Sequence, residues 1–403
     1  MMWWKICNKR NYATVRTDAL MSTVSPLLKI GLQFFGVWPD MPFAIIIRLI
    51  CMSSIVIIQY FQYLYIFAQC KQGELQSLMD GLPLAFDYSL TLIKLMTLWK
   101  NDRVVHEMLA HIDTDWRECV SVERDLYIMT TKAGVSHFCT NIMMSFYMIV
   151  GTTYLVGEFA INIMHSAESD NDTSRPFPMK LLYSSEAEQS PIYELLVVIL
   201  FAHALLNTYS IVIVDALIST LVLHASGQID IIHHEFKIIS DKIAYYQSSE
   251  CTIGMLVEKH NKVIAFSENM DKLFSFMALM QVFWNTLVIC SLGLLVISSL
   301  QDNTGIGLVK TALSCSAAMI ESFIFCFAGE YLCLKSRSLA DAAYESLWYN
   351  MSSNEGKKIL LIIMRSQKLL SITAGGMANL SLELFAKILK TSMSYMSVLY
   401  AMY

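Results

Sequence analysis

Apolar positions gather into seven long stretches, at about 41–68, 77–99, 133–161, 191–223, 273–300, 309–334 and 380–403. At about 1.5 Å of rise per residue, each is long enough for a helix to cross a hydrocarbon core of roughly 30 Å. The pattern predicts an all-α membrane protein with seven transmembrane helices. The second stretch is the weakest, because it holds Asp80, Asp87 and Lys94, spaced seven apart and therefore on one helical face. Between the stretches the long connections also read as helix. Ile229, Ile232, Phe236, Ile239 and Ile243 recur at helical spacing and predict an extension of the fourth span beyond the bilayer. Leu339, Ala343, Leu347 and Trp348 mark a second amphipathic piece, and residues 359–370 a third. Together they predict a compact anchor domain. The whole is read as one membrane domain, with an arm at 1–40, spans one to six at 41–335, anchor helices at 336–379 and a last span at 380–403.

The last span carries an ordered polar stripe. Glu383, Lys387, Thr391 and Ser394 follow helical steps of four, four and three, and the stripe continues through Val398 and Met402. Leu382, Phe385, Leu389, Met393, Met396 and Tyr400 are read as the other side. Charge at membrane depth is costly unless it faces protein or water. The stripe alone is equally compatible with a helix lining an aqueous path and with a buried polar seam between packed helices.

Composition supports the membrane class. The 403 residues are 55% hydrophobic and only 16% charged, where a soluble protein averages about 25%; mean hydropathy is +0.48. The cations fall on alternate connections. Lys5, Lys9, Arg10, Arg16 and Lys29 lie in the arm, Lys100, Arg103, Arg117, Arg124 and Lys132 after span two, Lys237, Lys242, Lys259 and Lys262 after span four, and Lys335, Arg337, Lys357, Lys358, Arg365 and Lys368 after span six. The positive-inside bias therefore predicts a cytoplasmic N-terminus and, after seven spans, an extracellular C-terminus, opposite to a G-protein-coupled receptor. The start has no signal-peptide core. Asn171 opens a glycosylation sequon in a connection predicted to lie outside.

Enzymatic and metal chemistry find no support in the motifs. Ten cysteines fall mostly in spans or cytoplasmic segments and predict no disulfide framework. His233-His234-Glu235 lacks metal-ligand spacing and reads as a solvated helix face. Gly375-Gly376 reads as a break before the final span. No cofactor, metal or nucleic acid is implied. A secondary transporter would show repeat symmetry or broken helices, and neither is seen.

Polar and aromatic groups in the outer halves of several spans suggest a site. Asp87, Tyr88 and Thr91 fall in span two, Tyr147, Val150 and Tyr154 in span three, His203 and Asn207 in span four, and Met319 and Phe323 in span six. Taken singly, each is better read as core packing. Converging on one cavity, they would suit a small, mostly apolar ligand.

The C-terminal motifs Arg365-Ser366-Gln367-Lys368, Ile372-Thr373-Ala374-Gly375-Gly376, Leu382-Glu383-Leu384-Phe385, Ile388-Leu389-Lys390-Thr391-Ser392, Ser394-Tyr395 and Ser397-Val398-Leu399 resemble those of the insect odorant receptor family. The ligand-tuning subunits of ants, bees and wasps are most similar. The segment from Ala340 to Tyr349 and the run DYSLTLIKLMTLW in span two extend the resemblance along the chain. It implies a subunit of an odorant-gated, non-selective cation channel in the plasma membrane of olfactory sensory neurons. It further implies a heterotetramer with the odorant receptor co-receptor, a small volatile as ligand, and Na⁺, K⁺ and Ca²⁺ as permeant ions. On the same resemblance the last spans line the pore past Thr391 and Ser394, and the narrowest point falls at Val398 and Met402, where the co-receptor has leucine at the second position. A related gustatory-type channel and an inverted metabotropic receptor are the alternatives.

Overall fold

The computed structural model describes residues 22–39, 41–73, 75–168, 175, 177–183, 185–244, 250–301 and 305–402. Asn171 lies outside the described residues, as does the side chain of Met402. The elements are helices α1 (Pro26–Phe34), α2 (Ala44–Gln72), α3 (Leu75–Lys100), α4 (Asp102–Cys119), α5 (Glu123–Glu168), α6 (Ile192–Ala244), α7 (Glu250–Gln301), α8 (Gly305–Tyr344), α9 (Ser353–Ser366) and α10 (Leu382–Met402), with a two-stranded hairpin of β1 (Thr373–Ala374) and β2 (Ala378–Asn379) between α9 and α10.

Helix ends follow local chemistry. Ser25 caps α1 by accepting from the amide of Leu28 at 3.1 Å, with Pro26 in the first turn. Ser352 and Glu355 form a reciprocal capping box on α9. Gly73 ends α2 in the left-handed region, φ 75°. Gly375 and Gly376 take φ 61° and 72° and turn the chain between the hairpin strands.

Five helices, α2, α5, α6, α7 and α8, have the length and apolar character to cross a membrane. Helices α3 and α10, with 26 and 21 residues, are long enough but carry three or more charged residues each. Helix α6 runs unbroken through Ile229, Ile232, Phe236 and Ile239, all buried, so the helix continues past its apolar stretch as the spacing implies. The other amphipathic pieces differ from expectation. Leu339 and Ala343 belong to α8 itself, and the break comes at Leu347, φ 54°, before a short 3₁₀ turn at Trp348–Asn350. Helix α9 starts and ends earlier than 359–370, because its capping box fixes the start at Ser353 and the helix stops at Ser366. Helix α4 is an amphipathic helix that span-finding overlooks; it buries Val105, Met108, Ile112 and Trp116.

The core centres on α6, whose residues 211–218 are all buried. Helices α5 and α8 pack along it, α7 packs on α3 and α8, and α2 lies outside against α3. The exterior is apolar: Ile45, Ile46, Ile50, Ile57 and Phe67 of α2, Phe138 and Ile149 of α5, and Leu195 and Val198 of α6 are exposed. An apolar belt of this extent is the surface of a chain solvated by lipid.

Candidate ligand cavity and outward face of the last helix

Five helices line a partly open cavity of about 130 Å³. It is of the same order as a roughly 150 Å³ apolar cavity that holds a benzene ring. Pro83, Leu84, Asp87, Tyr88 and Leu90 of α3 form one wall, and Tyr147, Val150, Gly151, Tyr154 and Leu155 of α5 another. Ala204, Asn207, Thr208 and Ile211 come from α6, Asn285, Val288 and Leu292 from α7, and Ser314, Ala317, Ala318 and Glu321 from α8. Mostly apolar walls with a few polar groups are the usual make-up of a small-molecule site.

Of the ten positions proposed from sequence, Asp87, Tyr88, Tyr147, Val150, Tyr154 and Asn207 line this cavity. His203 stands behind the wall, its ring stacked on Tyr88 at 5.5 Å and its Nδ1 3.1 Å from the Tyr88 hydroxyl. Thr91 is buried outside the lining. Met319 and Phe323 do not reach it. The face of α8 towards the cavity is 314, 317, 318 and 321, a helical series out of phase with 319 and 323. Met319 instead packs in the cluster around Ile388 of α10, and Phe323 stacks on Phe327 and meets Phe385 of α10 edge-on, both at 5.5 Å. The contribution of α7 was not anticipated, since Asn285, Val288 and Leu292 look like ordinary span residues in sequence.

A buried ionic network adjoins the cavity. Lys94 Nζ lies 2.5 Å from Glu321 Oε1 and 3.4 Å from Asp215 Oδ1, and the Tyr147 hydroxyl donates to Asp215 Oδ2 at 3.3 Å. All three ionic side chains are at most 6% exposed. Asn207 donates to Asp87 Oδ2 at 2.7 Å. Further along α5 and α8, Glu158 holds both Lys310, at 2.5 Å, and Lys180 of the connecting loop, at 3.2 Å. Spacing places Asp87 and Lys94 on one face, but Asp215 and Glu321 sit inside apolar runs where only tertiary contact reveals their partner.

A second cavity, about 270 Å³, lies at the opposite end among Asp115, Glu118, Asp125, Glu235 and Lys259. Its charges are already paired, Lys262 with Glu118, Lys259 with Asp125 and Arg124 with Glu235. His233-His234-Glu235 borders this region, where Glu235 serves as the partner of Arg124.

Helix α10 docks on α7 and α8 by Ile388 and Ser392, flanked by Leu384, Phe385, Leu389 and Met396. The Ser392 hydroxyl donates to the carbonyl of Thr286 at 3.1 Å. Leu382, Met393 and Tyr400, grouped with this side from sequence, are exposed instead, because α10 packs chiefly on α7 and α8 through the face of Ile388 and Ser392. The polar stripe lies across the helix from the docked face: Glu383, Lys387, Thr391, Ser394 and Val398 are all exposed. A seam buried within the chain is thereby excluded. Glu383 and Lys387 pair with each other at 2.7 Å.

Val288 and Leu292 line the cavity and also belong to the apolar cluster that holds Ile388. One packed layer therefore separates the cavity from the last helix.

The fold defines a polytopic, predominantly helical membrane protein with a cavity inside its helix bundle. Residues 74–393 match the family model described as 7tm Odorant receptor, and the chain belongs to that family of odorant receptors. Odorant receptor 13a of Drosophila melanogaster is 26% identical over 57% of this chain and 58% of its own length. Odorant receptor 10 of Aedes albopictus is 25% identical over 44% and 47%. The chain thus spans about half the length of these relatives. Odorant receptor 24a of Drosophila melanogaster aligns more fully, 19% identical over 85% of this chain and 87% of its own. In fold, the chain is similar to the insect olfactory receptor OR5 from Machilis hrabei, TM-score 0.72 at 15% identity over 92% of this chain and 96% of that one. The same receptor in complex with eugenol gives 0.74 at 15% identity over 93% and 97%.

Proposed function

We propose that the chain is a ligand-tuning subunit of an odorant-gated, non-selective cation channel, and that the cavity of α3, α5, α6, α7 and α8 binds its volatile ligand. The carrying observation is the shared layer of Val288 and Leu292, which touches both the cavity and α10. A ligand that favours one packing of this layer biases the position of α10. That the related receptor OR5 binds eugenol supports a small volatile as the ligand.

In this reading α3 and α10 are the second and seventh spans, completing the seven with α2, α5, α6, α7 and α8; the N-terminus is cytoplasmic, and α4, α9, the hairpin and the ends of α6 to α8 form an anchor domain. The exposed stripe of α10 then faces a pore shared with the odorant receptor co-receptor in a heterotetramer. A charged stripe on the outside of a single chain is costly against lipid and inexpensive against water or other subunits. Val398 and Met402 form the narrow apolar ring, Thr391 and Ser394 the wider path below it, and Na⁺, K⁺ and Ca²⁺ pass when the ring widens and hydrates. Asn171 is on the extracellular side and is a glycosylation acceptor, and the membrane is the plasma membrane of olfactory sensory neurons.

The test is expression with and without the co-receptor, recording current against a panel of volatiles. A current that needs both chains is expected. Surface expression without current in any combination would overturn the reading.

A further inference from the structure

The cavity wall contains a buried acceptor that lacks a partner, Asn207 Oδ1, while most of its donors are already engaged. Asn207, 3% exposed, uses its amide nitrogen on the Asp87 carboxylate, and its Oδ1 has no hydrogen-bond partner among the described residues. The partner settles the amide's orientation, because only the NH₂ group donates to a carboxylate. An unpartnered buried acceptor is costly to keep and is relieved by a donor. The lining hydroxyls of Thr208 and Ser314 donate to their own helix carbonyls, and Tyr147 donates to Asp215. Asn285 donates its amide to Ser322, and the Tyr88 hydroxyl is engaged with His203. Tyr154 adds a hydroxyl that both donates and accepts, so it does not discriminate.

Charge has the same sense. Asp87 and Glu321 line the cavity, and Asp215 lies behind it, with one ammonium, Lys94, paired to both Asp215 and Glu321. The nearest further cations, Lys310 and Lys180, are held by Glu158.

The geometry points to a ligand that carries an N–H or O–H donor, an alcohol, phenol or amine, with its head at the part-exposed Asp87 carboxylate, beside the unpartnered Asn207 Oδ1, and its apolar body against Val150, Val288 and Leu292. Carboxylic acids of the same length are excluded by Asp87 and Glu321. This inference rests on the cavity being the ligand site and adds the chemical class.

The purified full chain in lipid nanodiscs is titrated with four six-carbon probes: hexan-1-ol, its isomer methyl pentyl ether, hexylamine and hexanoate, with binding followed by tryptophan fluorescence. Hexan-1-ol and hexylamine are expected to bind at least about tenfold tighter than the ether, the effect of one well-made hydrogen bond to a charged or unpaired acceptor. Hexanoate is expected to bind most weakly. Asn207→Leu should narrow the alcohol-to-ether ratio to about twofold, and the wild-type ratio stands by itself should that variant not fold. An ether that matches the alcohol, a preference for hexanoate, or no binding by any probe would overturn the inference. Volatile-evoked currents without head-group preference would likewise remove it and leave the channel reading intact. A clear preference in binding with no current from any combination would leave it standing and remove the channel reading.

Discussion

Lys94 of α3 and Glu321 of α8 meet at 2.5 Å in the interior, 227 positions apart in the chain. With Asp215 they tie three helices together beside the cavity. Removing one partner of such a group leaves uncompensated buried charge, at a cost of about 3–5 kcal/mol, whereas replacing the whole set with apolar or neutral groups can be neutral. Lys94→Met is therefore expected to abolish surface expression. Lys94→Met combined with Asp215→Asn and Glu321→Gln should restore much of it, as measured by surface biotinylation. Equal expression of Lys94→Met and wild type would show that the network does not carry this load.

Leu292 separates the cavity from Ile388 of α10. Leu292→Ala or Ile388→Ala loosens that layer, with a cavity cost of roughly 2–5 kcal/mol at a fully packed site. For Ile388→Ala, which is not in the cavity wall, ligand affinity should be retained while the maximal current falls. Paired binding and current measurements check this; an affinity loss as large as the current loss would remove the coupling role.

Gly329 of α8 faces the segment leading into α10. A Cβ there would lie 2.5 Å from the carbonyl oxygen of Leu380, a backbone atom that cannot turn aside. Gly329→Ala is expected to displace the start of α10 and lower the melting temperature of the purified protein, since overpacking typically costs about 1–3 kcal/mol. An unchanged melting temperature would contradict the close approach.

His260, on the part of α7 before the apolar span, packs against α9, its Nε2 3.2 Å from the Ser366 hydroxyl. Burial, with Arg365 beside it, pushes the imidazole down to about 4. The unfolded chain has the ordinary value of about 6.5, so the folded state binds fewer protons between the two. The contribution is complete above pH about 6.5 and is lost as pH falls towards 4. Melting temperature should therefore fall across that window, and less steeply in His260→Gln. Parallel wild-type and variant curves would rule the group out.

Long apolar runs made the helices legible, and helical spacing foretold the extension of α6 through Phe236 and the stripe from Glu383 to Val398. The cavity was legible where polar or aromatic residues interrupt apolar runs, at Asp87, Tyr147, Tyr154 and Asn207. It was not legible on α7 and α8. Val288, Leu292 and Ala318 are apolar residues in apolar spans, and nothing in their spacing distinguishes a lipid face from a cavity face. Met319 and Phe323 were misplaced for the same reason, since the phase of α8 is set by its neighbours. Helix α4 falls in a connection that reads as helix, but its buried face of Val105, Met108, Ile112 and Trp116 is interleaved with Asp113, Asp115 and Arg117 and did not stand out.

The pore assignment makes its own demand on α10. Val398 is exposed and across the helix from Ser392, so Val398→Ala should alter single-channel conductance without changing subunit assembly on native gels. Unchanged conductance would move the constriction elsewhere.

The central claim is that a volatile in this cavity opens a channel, and a cavity-filling variant tests it most directly. In cells co-expressing the co-receptor, whole-cell current to the best volatile of the panel is compared between wild type and Ala317→Phe at matched surface expression. The account predicts an evoked inward current in wild type and its loss in Ala317→Phe, which fills the cavity from α8 without touching the stripe of α10. An undiminished current in Ala317→Phe would contradict it.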